Sequence, residues 1–471
     1  MPNMAMVMAM AMAMAIATTR MQRREKPMKH KSKATAKSTP SQDVLVRSKA
    51  GRFLVVLGAV VAAGFSIAHA SSMATRAKNP QIALSTMPDN AIALASRADL
   101  MLLQGKDDPD WTEIQRLALS SLQEQALNPR AARLNGMALL AKGDAEAGRA
   151  HMLLAQRLSR RDLPTQLWFT QKCAANNDFP CAMRHMDTAL STKGGGFTLL
   201  FPILRAGLGD PAFQQALKPY FREGRLWMPK FIVDSAQTDQ VAELAQAMHV
   251  AGSYPKDAEY QAAATLVLGR LQQTRDYAEI PRFARLMGPG VSAMTTSAAF
   301  TLPNINPDMV PLSWEVMTNP AAVVAFERQA NGDDFILAAR VDPANRATIA
   351  RKLMFMPPGV YRTSFAGEIN REATAAAAGL TVSCLSKTNQ VEVAQVPLNR
   401  ARGKTAVRDI QIGSDCTAQM VEIFLTGGSS DDGATIQVNR VSLKKLDSRT
   451  VGDAVNSPDI SESPPSNARI D

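Results

Sequence analysis

A passage that repeats itself at a spacing of 34 residues constrains this chain more than any other feature. Lys172–Leu190 reads KCAANNDFPCAMRHMDTAL, and one period back Ala141–Ala155 reads AKGDAEAGRAHMLLA. Asp178 falls on Asp144, His185 on His151, Met186 on Met152 and Ala189 on Ala155. Self-similarity at such a period means that each copy is one supersecondary unit, unable to bury its apolar face alone and stacked on its neighbours. In LNGMALLAKGDAEAGRAHMLLAQRL (Leu134–Leu158), apolar and small residues recur at helical spacing on both sides of Gly143-Asp144, which predicts two antiparallel helices joined by a tight turn. Gly136 and Gly148 take the positions where the helices approach, and Leu139, Met152 and Ala155 complete the inner faces. The next copy puts Thr170, Cys173, Asn177-Asp178, Ala182, Met186 and Ala189 at the same places, with Pro164 at a helix start and Trp168 nearby.

This pattern resembles the tetratricopeptide repeat, closely over residues 130–192 and more loosely over 85–290. The resemblance implies a helical solenoid over residues 80–290 whose extended surface binds other proteins. Weaker copies are read at Ala91–Gln104 with Glu113–Leu127, and at Thr238–His249 with Tyr260–Gln273 and Ile280–Leu286. Lys193-Gly194-Gly195-Gly196 reads as a linker that interrupts the array, and Phe197–Phe221 as a helical insertion.

Beyond Pro303 the texture changes to short apolar stretches separated by Gly, Asn, Asp and Ser. PLSWEV, FILAARV, GVYRTSFAGEI, LTVSCLS, VEVAQVPL, RDIQIG, MVEIFLTG and ATIQVNRVSL alternate with the two-residue period of strands. Residues 311–446 therefore predict an antiparallel β-sandwich, and the fold class is α+β, helices first and strands last. The order of strand, Pro-Pro-Gly and Tyr-Arg-x-Ser-Phe resembles a jelly roll of the carbohydrate-binding-module type. That resemblance implies sugar recognition by exposed rings, for which Trp314 and Tyr361 are the candidates; the alternative is that Trp314 plugs one end of the core and Tyr361 is an ordinary strand residue. Residues 447–471 are rich in Ser, Pro, Asp and Asn and read as a disordered tail.

The formal charge of +11 suggests nucleic acid until it is located. Residues 1–52 carry 11 Lys and Arg against Glu25 and Asp43, so a basic, disordered N-terminal tail holds nearly all of the excess. The folded part offers no broad field for phosphates, and nucleic acid is not an expected partner. The tail leads into FLVVLGAVVAAGFSIAHA (residues 53–70), which is free of Asp, Glu, Lys and Arg and nearly long enough to cross a bilayer. The basic excess ahead of it predicts an inner-membrane anchor with the bulk of the chain in the periplasm. A cleaved signal is the alternative, since Ala68-His69-Ala70 fits an A-x-A site, and so is a buried core helix. The leader is long for a signal, and a start at Met21 or Met28 would shorten it.

Cys173 and Cys181 lie eight residues apart, and Cys384 and Cys416 belong to the β-region. Neither pair has the C-x-x-C spacing of zinc or redox sites, so two structural disulfides and four buried thiols both remain open. No sequence signal names a reaction, a cofactor or a metal. H-E-x-x-H, G-x-S-x-G, the P-loop and the dinucleotide fingerprint are all missing from the sequence. His151 and His185 are repeat-equivalent, which a shared helix position explains. Asp431-Asp432-Gly433 reads as a polar hairpin turn, and Asp333 with Asp334, or Glu368 with Glu372, is a weak acid pair without a family frame. The chain is therefore read as a non-enzymatic, membrane-anchored scaffold of cell-envelope or exopolysaccharide assembly. Its expected partners are envelope proteins on the repeats and polysaccharide on the sandwich; a polysaccharide-processing enzyme or its accessory subunit is the alternative.

Overall fold

The computed structural model describes residues 49–105, 108–192, 196–301, 304–329, 334–370, 375–386, 389–398, 405–428 and 433–446. The basic tail up to Ser48, the linker residues Lys193 to Gly195, the acidic positions Asp333, Glu372, Asp431 and Asp432, and the C-terminal tail lie outside them. The chain divides into two compact units, one ending at Leu217 and one beginning at Lys218.

The first unit opens with α1 (Lys49–Thr75) and α2 (Pro80–Thr86). From Leu57 to Thr75 α1 is apolar and almost entirely exposed, the one helix among the described residues long and apolar enough to cross a membrane. Helical hairpins follow: α3 (Ala91–Gln104) with α4 (Trp111–Glu124), α5 (Pro129–Ala141) with α6 (Ala145–Leu158), and α7 (Leu163–Ala175) with α8 (Phe179–Leu190). The period seen in the sequence is reproduced in the caps. Asn128 and Asp162 accept from the third backbone N–H of α5 and α7, with Pro129 and Pro164 in the first turn. Asp144 and Asp178 do the same for α6 and α8. Between each pair the chain turns through a left-handed residue, Gly143 (φ 91°) and Asn177 (φ 56°), the conformation that Gly and Asn tolerate best. At the α5–α6 crossing a Cβ on Gly136 would lie 3.0 Å from the Gly148 carbonyl, and one on Gly148 would lie 2.7 Å from Leu140. In the next hairpin Ala182 holds that place and is 1% exposed.

One buried cation ties these repeats together. Arg133 of α5 is 2% exposed, donates to Asp99 of α3 at 2.7 Å and to the cap residue Asp162 at 3.0 Å. Arg130 reaches the same Asp99 at 3.0 Å. Two carboxylates hold the buried guanidinium firmly protonated against its desolvation. After Leu190 come α9 (Phe197–Ala206) and α10 (Pro211–Glu223), two helices where the sequence reading had one insertion.

The second unit takes the end of α10 from Lys218, then α11 (Met228–Ala236), α12 (Val241–Ala251), α13 (Ala258–Gln273), α14 (Ile280–Met287) and α15 (Pro289–Met294), and continues, among the described residues, into ten strands. These are β1 (Glu315–Val316), β2 (Ala322–Arg328), β3 (Phe335–Val341), β4 (Arg346–Met354), β5 (Gly359–Ile369), β6 (Ala377–Leu385), β7 (Gln390–Pro397), β8 (Thr405–Ile412), β9 (Ala418–Thr426) and β10 (Ala434–Lys445). They form two antiparallel sheets in the orders β1-β4-β9-β6-β7 and β2-β3-β10-β5-β8. From β3 to β10 every connection except β6–β7 crosses from one sheet to the other, which sets β10 between β3 and β5 and β9 between β4 and β6, the wrapping of a jelly roll, with β1 and β2 added at the edges. Between the sheets lies one apolar core that includes Leu337, Ile349, Phe365, Leu380, Val421, Ile423 and Val438. The expected α+β organisation, helices first and a sandwich last, is the fold.

Both cysteine pairs are disulfides, Cys173–Cys181 across the α7–α8 turn and Cys384–Cys416 in the sandwich.

Candidate functional site

Trp314 and Tyr361 were the ring candidates for sugar stacking, and both are spent on the core. Trp314 is 3% exposed, donates its indole N–H to the Ala298 carbonyl at 3.1 Å and meets Phe300 edge to face. Tyr361 is 4% exposed and donates its hydroxyl to the Pro357 carbonyl at 2.7 Å. Neither offers a ring face to a ligand in this structure. The core reading of Trp314 accounts for what is seen.

Polar side chains instead converge on the outer face of the β1-β4-β9-β6-β7 sheet. An open trough of about 550 Å³ is lined there by Arg346, Thr348, Thr381, Ser383, Gln390, Glu392, Glu422 and Phe424. The pleat explains the grouping. Thr381 and Ser383 alternate on β6, Gln390 and Glu392 on β7, and the register sets Thr381 opposite Glu422, Ser383 opposite Glu392 and Thr348 opposite Phe424. Phe424 breaks the rule that aromatics face inward. Its ring lies over Gly379, where a Cβ would come within 2.7 Å of it, and the Arg346 guanidinium sits 4.2 Å from its centroid; at 7% exposure it floors the trough and, like Trp314 and Tyr361, offers no open ring face. Gln390 reaches Glu422 at 3.5 Å. Beside the trough, Arg351 pairs with Glu315 at 2.6 Å.

Chemically, the trough presents three hydroxyls, two carboxylates, an amide and a guanidinium around one aromatic ring. Such a set matches neutral polyols, whose hydroxyls both donate and accept. The opposite sheet carries a second open depression of about 650 Å³ over β2, β3, β10 and β5, with Glu327, Arg340, Glu368 and Gln437 in its lining. None of its described lining residues is aromatic. Of the acid pairs weighed from sequence, Glu368 belongs to this second surface and Asp334 pairs with Thr301 in an isolated bridge.

The sequence reading did not reach the trough. Its signal lay in the polar phase of strands already recognised: Thr381 and Ser383 in LTVSC, Glu392 in VEVAQV and Glu422 in MVEIF. What sequence lacked was the strand order that brings β6, β7 and β9 side by side.

His185 sits half-buried in α8. Its Nδ1 lies 2.8 Å from Gln166 Oε1, and its ring stacks on Phe169 at 4.9 Å. Burial lowers its pKa, with help from the Arg184 charge. His151, its equivalent one repeat earlier, leaves its buried Nδ1 without a hydrogen-bond partner.

The most unusual titratable group lies in the sandwich. Lys352 on β4 is 0% exposed and donates to the Leu312 carbonyl. Burial pushes its pKa down to about 7. Sealed from solvent, it is not available to a substrate.

No protein-family model matches this chain, and no curated protein matches it in sequence. Among similar solved structures are carbohydrate-binding β-sandwich modules. The C-terminal family 22 carbohydrate-binding module of Clostridium thermocellum Xyn10B is 15% identical, over 32% of this chain and 94% of that one, with a TM-score of 0.23. A promiscuous carbohydrate-binding module of the β-sandwich superfamily is 15% identical, over 32% of this chain and 63% of that one, with a TM-score of 0.24. The enzymatically active domain of bacteriophage CBA120 tailspike protein 4 is 10% identical over 28% of this chain, with a TM-score of 0.22, and the match spans only 19% of the tailspike. The jelly roll itself rests on the strand order given above.

Proposed function

We propose that the protein is a membrane-anchored, periplasm-facing adaptor of cell-envelope or exopolysaccharide assembly. Its tetratricopeptide-like hairpins dock a protein partner, and its sandwich holds a glycan in the trough through the polar groups of Thr381, Ser383, Gln390, Glu392 and Glu422. The observation that carries the reading is α1: an apolar helix, exposed from Leu57 to Thr75, preceding a chain whose four cysteines are all in disulfides. The basic excess ahead of the helix supports the inward placement of the N-terminus. The 34-residue period of caps and turns supports the repeat reading, and the hydroxyl, carboxylate and amide groups of the trough support polyol binding.

Two measurements test it. A reporter active only outside the cytoplasm, fused after Asn90, gives signal if the topology is right; a silent fusion removes the anchored reading, and a soluble product shortened at Ala70 replaces the anchor with a cleaved signal. Affinity electrophoresis of the detergent-solubilised chain through gels containing envelope polysaccharides shows retardation that Glu422→Gln with Thr381→Ala abolishes. Unretarded migration in every gel removes the glycan reading. Glu392 and Glu422 share the trough, which favours hydrolysis as the second reading, and release of new reducing ends from a retained polysaccharide would establish it.

A further inference from the structure

Three side chains with soft-metal chemistry meet at the α7–α8 turn. One ligand atom each from Cys173, Cys181 and His185 lies within 4.8 Å of the others. The frame that holds them is the same helical hairpin as in the preceding repeat, which makes that repeat an internal comparison. At the corresponding positions it carries Leu139, Ala147 and His151, and Ala132 where this repeat has Gln166. Three replacements in one copy, two to cysteine and one to glutamine, have thus gathered around one shared histidine.

Gln166 fixes what that histidine can do. The amide is 1% exposed, and its Nε2 donates to the Arg160 carbonyl at 3.2 Å, so Oε1 must face His185 as an acceptor. His185 therefore donates from Nδ1, and its lone pair sits on Nε2. The contact of Gln156 Nε2 with the same Nδ1, at 3.5 Å, is too long to compete. A histidine held by an outer hydrogen bond on one nitrogen, with the other free, is the arrangement of a metal ligand. The Phe169 stack holds the ring plane. Cys181 and His185 lie one helical turn apart on α8 and are both half-buried, which leaves a path from solvent.

We propose that Cys173, Cys181 and His185 form a redox-gated site for Zn²⁺, closed while the disulfide stands and opened by a dithiol reductant. Two electrons from the dithiol break the S–S bond. The reductant leaves as its own disulfide, and its two protons pass to the cysteines. Zn²⁺ then displaces both protons, taking two thiolates, the imidazole Nε2 and one water in a tetrahedral set. The site does not rest on the glycan reading, and its opening requires that a reductant reach the compartment in which the chain resides.

The test uses the full chain in detergent, oxidised or treated with a dithiol that is then removed under argon. Competition with a chromophoric chelator measures Zn²⁺, and Co²⁺ substitution reports thiolate ligation by its charge-transfer band. The reduced chain binds one equivalent of Zn²⁺ that the oxidised chain does not. His185→Ala weakens it by more than about a hundredfold, Gln166→Ala by about tenfold to a hundredfold, and His151→Ala leaves it unchanged. Cys181→Ser, which cannot form the bond, loses the Co²⁺ band even where His185→Ala fails to fold. Equal binding by oxidised and reduced chains, no binding by the reduced chain, or binding indifferent to both His185 and Cys181 overturns the proposal.

Discussion

Replacing Lys352 by methionine should change the stability of the sandwich by an amount that depends on pH in a calculable way. The folded-state pKa of Lys352 is about 7 against an ordinary 10.5. The unfolded chain therefore binds a proton more readily than the folded one between those values. Each unit of pH in that window changes stability by about 1.4 kcal/mol, and the sign is fixed: stability is full above the unfolded pKa and is lost as pH falls toward the folded one. Between about pH 10 and pH 7 the loss amounts to roughly 3–4 kcal/mol as an upper value, since relaxation and water entry reduce it. Lys352→Met removes the titration but orphans the Leu312 carbonyl, at a cost of about 1–3 kcal/mol that does not vary with pH. The absolute gain at neutral pH is therefore small, and the difference in slope is the decisive quantity. Hydrogen exchange of the β4 and β9 peptides, measured in both proteins across this range, isolates the sandwich from the helices. The variant minus wild-type difference should rise by several kcal/mol as pH falls. A flat difference would mean that Lys352 reaches water, and the argument for its depressed pKa would fail.

Arg133→Ala should cost roughly 3–5 kcal/mol, because it leaves Asp99 and Asp162 partly buried without their cation; thermal unfolding should show it, and Arg133→Lys should not rescue, since one ammonium cannot fork between two carboxylates. Ala182→Leu should overpack the α7–α8 crossing by roughly 1–3 kcal/mol, read as a lowered melting temperature, and unchanged melting would mean that the repeat register is wrong. Reduction of Cys384–Cys416, which closes a separation of 32 residues, should cost the sandwich about 2–4 kcal/mol; exchange rates in β6 and β9 that stay constant on reduction would refute it.

The parts of the fold legible in sequence are those whose signal is local. Helix ends at Asn128-Pro129, Asp144 and Asp178 follow from capping chemistry alone, and a 34-residue period needs no partner to be seen. Strands with clean alternation, such as ATIQVNRVSL, were equally open to reading. Two strands were not. β4 reads RATIARKLM, where Arg351 and Lys352 interrupt the apolar phase, a bulge between Thr348 and Ala350 shifts it, and a lysine occupies a position facing inward. In β2, AVVAFER is apolar without alternation at its start. α11 was missed because MPKFIVDSA is too short to show a helical period. The trough around Phe424 depends on pairings between residues far apart in the chain, which no window of sequence contains. Trp314 shows the converse limit, since composition identifies an aromatic without telling on which face of the sheet it points.

The place of β10 sets the order in which the sandwich can be finished. It lies in the middle of its sheet, bonded to β3 on one side and β5 on the other, although among the described residues it is the last strand in chain order. As the chain leaves the ribosome or is threaded through a pore, β3 and β5 appear first and have no bridge between them. Each then presents an unpaired edge until Ala434–Lys445 emerges. The waiting halves are at that stage open to pairing with other chains. A nascent chain stalled before Ala434 should therefore be digested by protease throughout the β-region, and release of the last strand should confer resistance on both sheets at once.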